Sequence, residues 1–173
     1  MLRGLPEKAD RSLFKVQRWV TPDEGEYLAW LVKANRIRFV LESGTANGYS
    51  ALWMGAMMPV CVYTWDIVNR PKIWEHFAEF AERASDIVFR EEAYAYDMPG
   101  YACRVKGPRL FFIDGDHEEP WVRKDWENAK RWAEPGDMIV LHDAKVCPAV
   151  AELAREIGAE SIDSPRGFAV FRA

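Results

Sequence analysis

The sequence lacks any apolar run long enough to span a membrane, and its opening residues, Met1-Leu2-Arg3-Gly4-Leu5-Pro6-Glu7, lack the apolar centre of a signal peptide. Cysteine is scarce: Cys61, Cys103 and Cys147 are scattered, odd in number and without metal-type spacing, so they read as reduced thiols of a cytoplasmic protein. Positive charge is not in excess. A net charge of -4 leaves no basic footprint for nucleic acid. Repeats, linkers and low-complexity segments are absent too, so 173 residues read as one domain with one core. With 49% hydrophobic and 29% charged residues, that domain is expected to be soluble and globular. Tryptophan is the exception to this scarcity. Eight of them point to a densely packed core or an aromatic-lined pocket.

What is present is an alternation of strand-like and helix-like segments. Residues 1–20 are weakly patterned and read as an arm or short helix. Thr21-Pro22-Asp23-Glu24 is a helix start, with Thr21 as N-cap, Pro22 in the first turn and acids at the positive helix end. The helix Asp23–Ala34 places Tyr27, Leu28, Leu31 and Val32 on one face. Strands are expected at Arg38–Leu41, Val60–Trp65, Ile87–Arg90, Leu110–Ile113 and Met138–Leu141, with a hairpin near Ser161–Ile162 and Phe168–Arg172. Helices are expected at Tyr49–Met57, Pro71–Ala84, Pro120–Ala133 and Pro148–Ile157. In the third of these, Trp121, Val122, Trp126, Ala129, Trp132 and Ala133 form the buried stripe, and Arg123-Lys124-Asp125-Glu127 a solvated face. The stretch Tyr94–Gly107 yields no clear pattern. The alternation argues an α/β fold: a doubly wound, mostly parallel sheet of seven strands, closed by an antiparallel hairpin.

Three of these strands run into polar ends, and open α/β sheets bind ligands outside the carboxyl ends of their strands. The first leads into Glu42-Ser43-Gly44-Thr45-Ala46-Asn47-Gly48-Tyr49-Ser50, the fourth into Asp114-Gly115-Asp116-His117, and the fifth into His142-Asp143. The Gly44–Gly48 turn lets backbone approach a ligand closely. It lacks the Gly-x-Gly-x-x-Gly spacing of a dinucleotide site and the Lys-Ser/Thr of a P-loop. Glu42 would repel phosphate and suit an ammonium, and Asp66, ending the second strand, would suit ribose hydroxyls. Ammonium, carboxylate and ribose without phosphate describe S-adenosylmethionine.

At this point the chain resembles the class I S-adenosylmethionine-dependent methyltransferases, which are Rossmann-like. It is most similar to the small O-methyltransferases of the catechol, macrolide-sugar and cephalosporin-cluster types. The resemblance rests on Glu42-x-Gly44-x-x-x-Gly48-x-Ser50, Asp66, Phe112-Ile113-Asp114-Gly115-Asp116-His117 and Pro135-Gly136-Asp137-Met138-Ile139-Val140-Leu141-His142-Asp143, over roughly residues 21–172. It implies that Glu42, Gly44, Thr45, Asn47, Gly48 and Ser50 hold the methionine part of the cofactor and Asp66 its ribose. Glu92 would lie near the adenine, and Asp114 would touch both the cofactor and a divalent metal, magnesium or manganese. Asp114, His142 and Asp143 would be the metal ligands and His117, with Asp114, the catalytic pair. The implied partner is a small-molecule acceptor, or beyond it another copy of this chain; nucleic acid and membrane are not expected.

His142 departs from the family pattern, which has an acid there. Either a transition metal is bound through an imidazole, or metal dependence has been lost and His117 and His142 act as acid and base alone. Other readings remain open at this stage. Asp66, Asp114 and Asp143 also suit loop or cap roles, His142 a structural one, and Asp116 a cap or supporting role. His76 reads as structural. A domain that binds S-adenosylmethionine without turnover, or as a partner subunit, is one alternative function. A nucleotide-sugar glycosyltransferase using Asp114-Gly115-Asp116 is another.

Overall fold

Two apolar layers, one on each side of a single sheet, organise the molecule, and strand periodicity assigns residues to them. The computed structural model describes residues 20–55, 60–68, 87–91 and 94–173. The expected arm over residues 1–19, the helix Pro71–Ala84 with His76, and Glu92 lie outside the described residues. The elements in chain order are α1 (Pro22–Ala34), β1 (Phe39–Ser43), α2 (Tyr49–Gly55), β2 (Cys61–Trp65), β3 (Ile87–Arg90) and α3 (Tyr94–Ala102). They continue with β4 (Arg109–Ile113), α4 (Trp121–Trp132), β5 (Met138–His142), α5 (Pro148–Glu156), β6 (Glu160–Ile162) and β7 (Phe168–Arg172).

The sheet order is β3-β2-β1-β4-β5-β7-β6. All neighbours are parallel except β7, which runs antiparallel to both β5 and β6. Winding therefore reverses between β1 and β4, which creates the crevice where such sheets bind ligands. Because side chains alternate across a strand, Val40, Leu110, Phe112, Val140 and Val170 pack with Leu28, Leu31 and Leu52 of α1 and α2. Leu41, Phe111, Ile113, Ile139 and Leu141 face the opposite way, onto Met98, Val122, Trp126 and Leu153 of α3, α4 and α5. The same alternation carries Glu42 and His142 to the α1–α2 side.

Helix α1 begins as its sequence requires. Thr21 caps it, and Glu24 returns the hydrogen bond in a reciprocal capping box, with Thr21 N donating to Glu24 Oε2 at 2.9 Å. Strand β1 continues two residues past its expected end and so takes in Glu42 and Ser43. The unpatterned stretch holds α3, whose interior Pro99 and Gly100 are the residues that ordinarily signal a break. Trp121 is not part of the buried stripe: it is 48% exposed, whereas Val122, Trp126 and Ala129 are buried. The stripe runs at 122, 126 and 129, and residue 121 is about 100° of helix rotation away from its start. Asp125 likewise does not belong to a solvated face, because its carboxylate accepts from Ser43 Oγ at 2.6 Å.

Arg109 and Asp137 form a guanidinium–carboxylate pair in the interior. Arg109 (1% exposed) donates through Nε and Nη2 to Asp137 Oδ2 at 2.9 and 2.6 Å, and its remaining donors reach the carbonyls of Ala102 and Trp132. Asp137 also accepts the backbone N–H of Arg109 and Glu134, which ties the entry of β4 to the turn before β5. Substituting one partner of such a pair strands the other charge. Asp137→Ala is accordingly expected to cost roughly 3–5 kcal/mol of unfolding free energy, measured by urea denaturation. A loss below about 1 kcal/mol, the range of an exposed pair, would contradict this account.

Candidate active site

The C-terminal ends of β1, β2, β4 and β5 open into a cleft of about 1460 Å³, lined among others by Gly44, Ser50, Asp66, Asp114, His117 and Arg166. Gly44 has φ +90°, and a Cβ there would stand 2.1 Å from the carbonyl oxygen of Asp114. Only glycine allows the turn after β1 to lie against the turn after β4. The turn is pinned to β2 as well: Gly44 N and Thr45 N both donate to the Trp65 carbonyl, and Thr45 Oγ1 lies 2.6 Å from Thr64 Oγ1. Ala46 N donates to Asp66 Oδ2 at 2.8 Å and Val68 N to Asp66 Oδ1 at 2.9 Å. Asp66 is thus held at the cleft wall with acceptor capacity remaining on both oxygens.

Gly44, Thr45, Asn47, Gly48 and Ser50 are brought together in this turn, and all but Gly48 line the cleft. Glu42 does not line it. Its carboxylate is wholly buried behind Ser50, whose hydroxyl donates to it, and burial pushes it up to about 8 despite the Ser50 and Thr64 hydroxyls. Asp116 accepts from Glu118 N at 3.0 Å, closing a local turn, so it supports the loop rather than converging with Asp114.

The acid–histidine cluster is the second half of the site. His117, partly exposed to the cleft, places Nε2 3.3 Å from Asp114 Oδ1 and 3.2 Å from Asp143 Oδ2. Burial alone would lower its pKa, but the hydrogen bond to Asp114 and the charges of Asp114 and Asp143 raise it above its ordinary value. His142, almost fully enclosed, points Nδ1 at Asp114 Oδ1 (2.8 Å) and Nε2 towards Glu24 Oε2 (3.5 Å). Burial opposes charge on this ring too, yet Asp114, Glu24 and Asp143 together hold its pKa up at about 10. The Asp114 carboxyl, which burial would raise, is held below its usual range by the two histidines.

Asp114, His142 and Asp143 offer atoms within 4.8 Å of one another, as a metal site requires; so do His117, Asp143 and Cys147. The donors are already engaged, however. Arg166 Nε donates to Asp143 Oδ1 and its Nη2 to Oδ2 at 2.9 Å, in a bidentate pair. His142 Nδ1 occupies Asp114 Oδ1. As arranged, both oxygens of Asp143 are taken by Arg166 and the His142 nitrogen nearest the acids is turned to Asp114 Oδ1, which leaves Asp114 Oδ2 as the oxygen of the set without such a partner. Arg166 was not singled out in the sequence, and Glu24 only as an acid of a helix start. Arg166 lies in the β6–β7 connection with no motif around it, and Glu24 is fully explained locally by its capping box.

A family model described as a methyltransferase domain matches residues 41–144. The chain is 27% identical over 135 residues to a catechol O-methyltransferase of Niastella koreensis, covering 73% of this chain and 60% of that protein. The chain thus spans about three fifths of the length of that curated relative. Among solved structures, it is similar to the O-methyltransferase TomG of Streptomyces achromogenes, solved in complex with SAM, with a TM-score of 0.74 and 20% identity over 92% of this chain and 84% of that one. It is also similar to the Bacillus cereus O-methyltransferase in complex with SAH, with a TM-score of 0.70 and 20% identity over 94% and 86%. These structural likenesses establish the fold.

The His142 row carries a pH signature. Its folded pKa of about 10 is raised above the ordinary 6.5, so its stabilising contribution is complete below 6.5 and lost as pH rises through 10. The melting temperature of the unsubstituted protein minus that of His142→Gln is expected to shrink across that window. A difference that stays flat from pH 6 to beyond about 10 would refute the assignment.

Proposed function

This chain belongs to the methyltransferase-domain family, and on that premise we propose that it transfers a methyl group from S-adenosylmethionine to a hydroxyl of a small molecule, a phenol, catechol or sugar. The observation that carries this reading is the position of His117: it faces the cleft between Asp114 and Asp143, across from the Gly44–Ser50 turn.

The residues present fit the cofactor. The turn lines the cleft through Gly44, Thr45, Ala46 and Asn47, and Gly44 lets it lie against the Asp114 carbonyl, so turn and acid–histidine cluster face one cavity. An ammonium docked there would draw Glu42 to its charged form through Ser50, because that carboxyl is poised at about 8 by burial. Asp66 is presented to accept from ribose hydroxyls. S-adenosylmethionine, when bound, supplies an electrophilic methyl group on its sulfonium.

His117 is the base of this reading. The imidazole of His117 takes the proton of the acceptor hydroxyl as the oxygen attacks, while Asp114 and Asp143, both against Nε2, orient the ring and stabilise its charged form. Holding the acceptor in line contributes much of the acceleration. Of the two readings left by the sequence, metal-assisted and metal-free, the occupied donors of Asp114 and Asp143 support the second. Trp121, half-exposed at the cleft, offers an aromatic surface for a ring-bearing acceptor.

Calorimetric titration with S-adenosylmethionine is expected to show saturable binding, unchanged in His117→Ala. Transfer of radiolabelled methyl to an acceptor panel of catechols, phenols and sugars is expected to fall by roughly 10²–10⁴-fold in that variant. In the unsubstituted protein, the rate rises with pH through a value above 6.5, as the raised His117 pKa requires. Binding without transfer to any acceptor would favour the cofactor-binding subunit. No binding would overturn the methyltransferase reading.

A further inference from the structure

Arg166 is placed too firmly to be an incidental surface arginine. Its backbone N–H donates to Glu24 Oε1 at 2.8 Å, and Ser164 Oγ donates to the same oxygen at 2.8 Å. Gly167 N donates back to Ser164 Oγ at 2.9 Å, and Lys145 N donates to the Arg166 carbonyl at 2.9 Å. Gly167 packs so closely on Lys145 that a Cβ would stand 2.6 Å from the Lys145 Cβ. The connection is therefore clamped to α1 on one side and to the end of β5 on the other. From it the guanidinium reaches into the cleft wall and grips both oxygens of Asp143, a side chain only 3% exposed.

A buried carboxylate needs a compensating charge. The family resemblance implied a divalent metal at Asp114, His142 and Asp143, with lost metal dependence as the other reading. In the folded protein a guanidinium supplies that charge through the geometry guanidinium matches best, a two-pronged pair with a carboxylate. An arriving ion would have to displace Arg166 from Asp143 with the charge of His142 beside it.

We infer that Arg166 is the built-in cation of this site: a positioning residue that fixes Asp143, and through it His117, in place of a divalent metal. The chemistry it serves rests on the methyl-transfer reading, but the placement of charge does not. This chain is therefore a cation-independent variant of its fold, and a latent metal site lies beneath the arginine.

The test is Mn²⁺ titration of the full chelator-treated chain, followed by electron paramagnetic resonance, with S-adenosylmethionine titration alongside. The unsubstituted protein is expected to gain no Mn²⁺ site that depends on Asp143. Arg166→Ala is expected to gain one. Removing a unit positive charge about 4 Å from a divalent ion is worth at least roughly a hundredfold in affinity, even at an effective dielectric of about 20. The double variant Arg166→Ala/Asp143→Asn loses that site again, which locates it, and Arg166→Lys, which keeps the charge, gains none. Should Arg166→Ala fail to fold by circular dichroism, Arg166→Gln, which keeps hydrogen-bond donors without the charge, makes the same comparison beside Arg166→Lys. An Asp143-dependent Mn²⁺ site in the unsubstituted protein overturns the inference, as does a folded variant at position 166, lacking positive charge, that gains none. Failure of S-adenosylmethionine binding, by contrast, would strike the methyl-transfer reading and leave the Mn²⁺ result standing.

Discussion

Backbone contact between the turns after β1 and β4 is the constraint on which the site depends. Gly44 abuts the Asp114 carbonyl at a distance no side chain tolerates, and this contact sets how close the cofactor-type turn lies to the acid–histidine cluster. The sheet supplies the rest of the registration. β1 and β4 pair in parallel with Ser43 opposite Ile113, so the turn after one strand and Asp114 at the end of the other start level. Slip β1 by one residue in that register and Glu42 exchanges faces with Leu41. The core and the chemistry are thus specified by the same alternation.

Charge is managed in the interior by pairing. Arg109 with Asp137 at one end of the sheet, and Arg166 with Asp143 at the other, each satisfy an enclosed carboxylate with a guanidinium. The difference is exposure. Arg109 is sealed and spends all its donors on protein acceptors, which suits a structural tie between β4 and β5. Arg166 borders the cleft, where its charge is felt by whatever enters. At that same end His142, ringed by Phe112, Phe168 and three carboxylates, is held charged by neighbours that would otherwise repel one another.

Much of this was legible in the sequence, for identifiable reasons. Strand–helix alternation and polar strand ends gave the sheet, its hairpin and the cluster Asp114, His117, His142 and Asp143, because those signals are local and periodic. What escaped was whatever depends on contacts distant in sequence. Glu24 satisfies its own helix cap so well that nothing hints at its second oxygen serving Ser164 and Arg166. Arg166 shows no pattern at all, and its role exists only once β7 is laid beside β5. Pro99 and Gly100 hid α3, where packing against α4 outweighs two poor helix formers. Glu42 was placed among the cofactor contacts by motif, whereas the extension of β1 buries it behind Ser50.

The clamp between Glu24 and the β6–β7 connection joins residues 140 positions apart, and this has a bearing on biosynthesis. A nascent chain that has emerged just past β5 already carries Asp114, His142 and Asp143, but not the arginine that pairs with Asp143. Asp143 stays without its guanidinium partner, and α1 without its distant one, until the β6–β7 connection has been made and docks. Assembly of the cleft therefore waits on the synthesis of that connection. A polypeptide stopped anywhere before Arg166 would carry nearly every recognisable signature of the family and still lack a finished site.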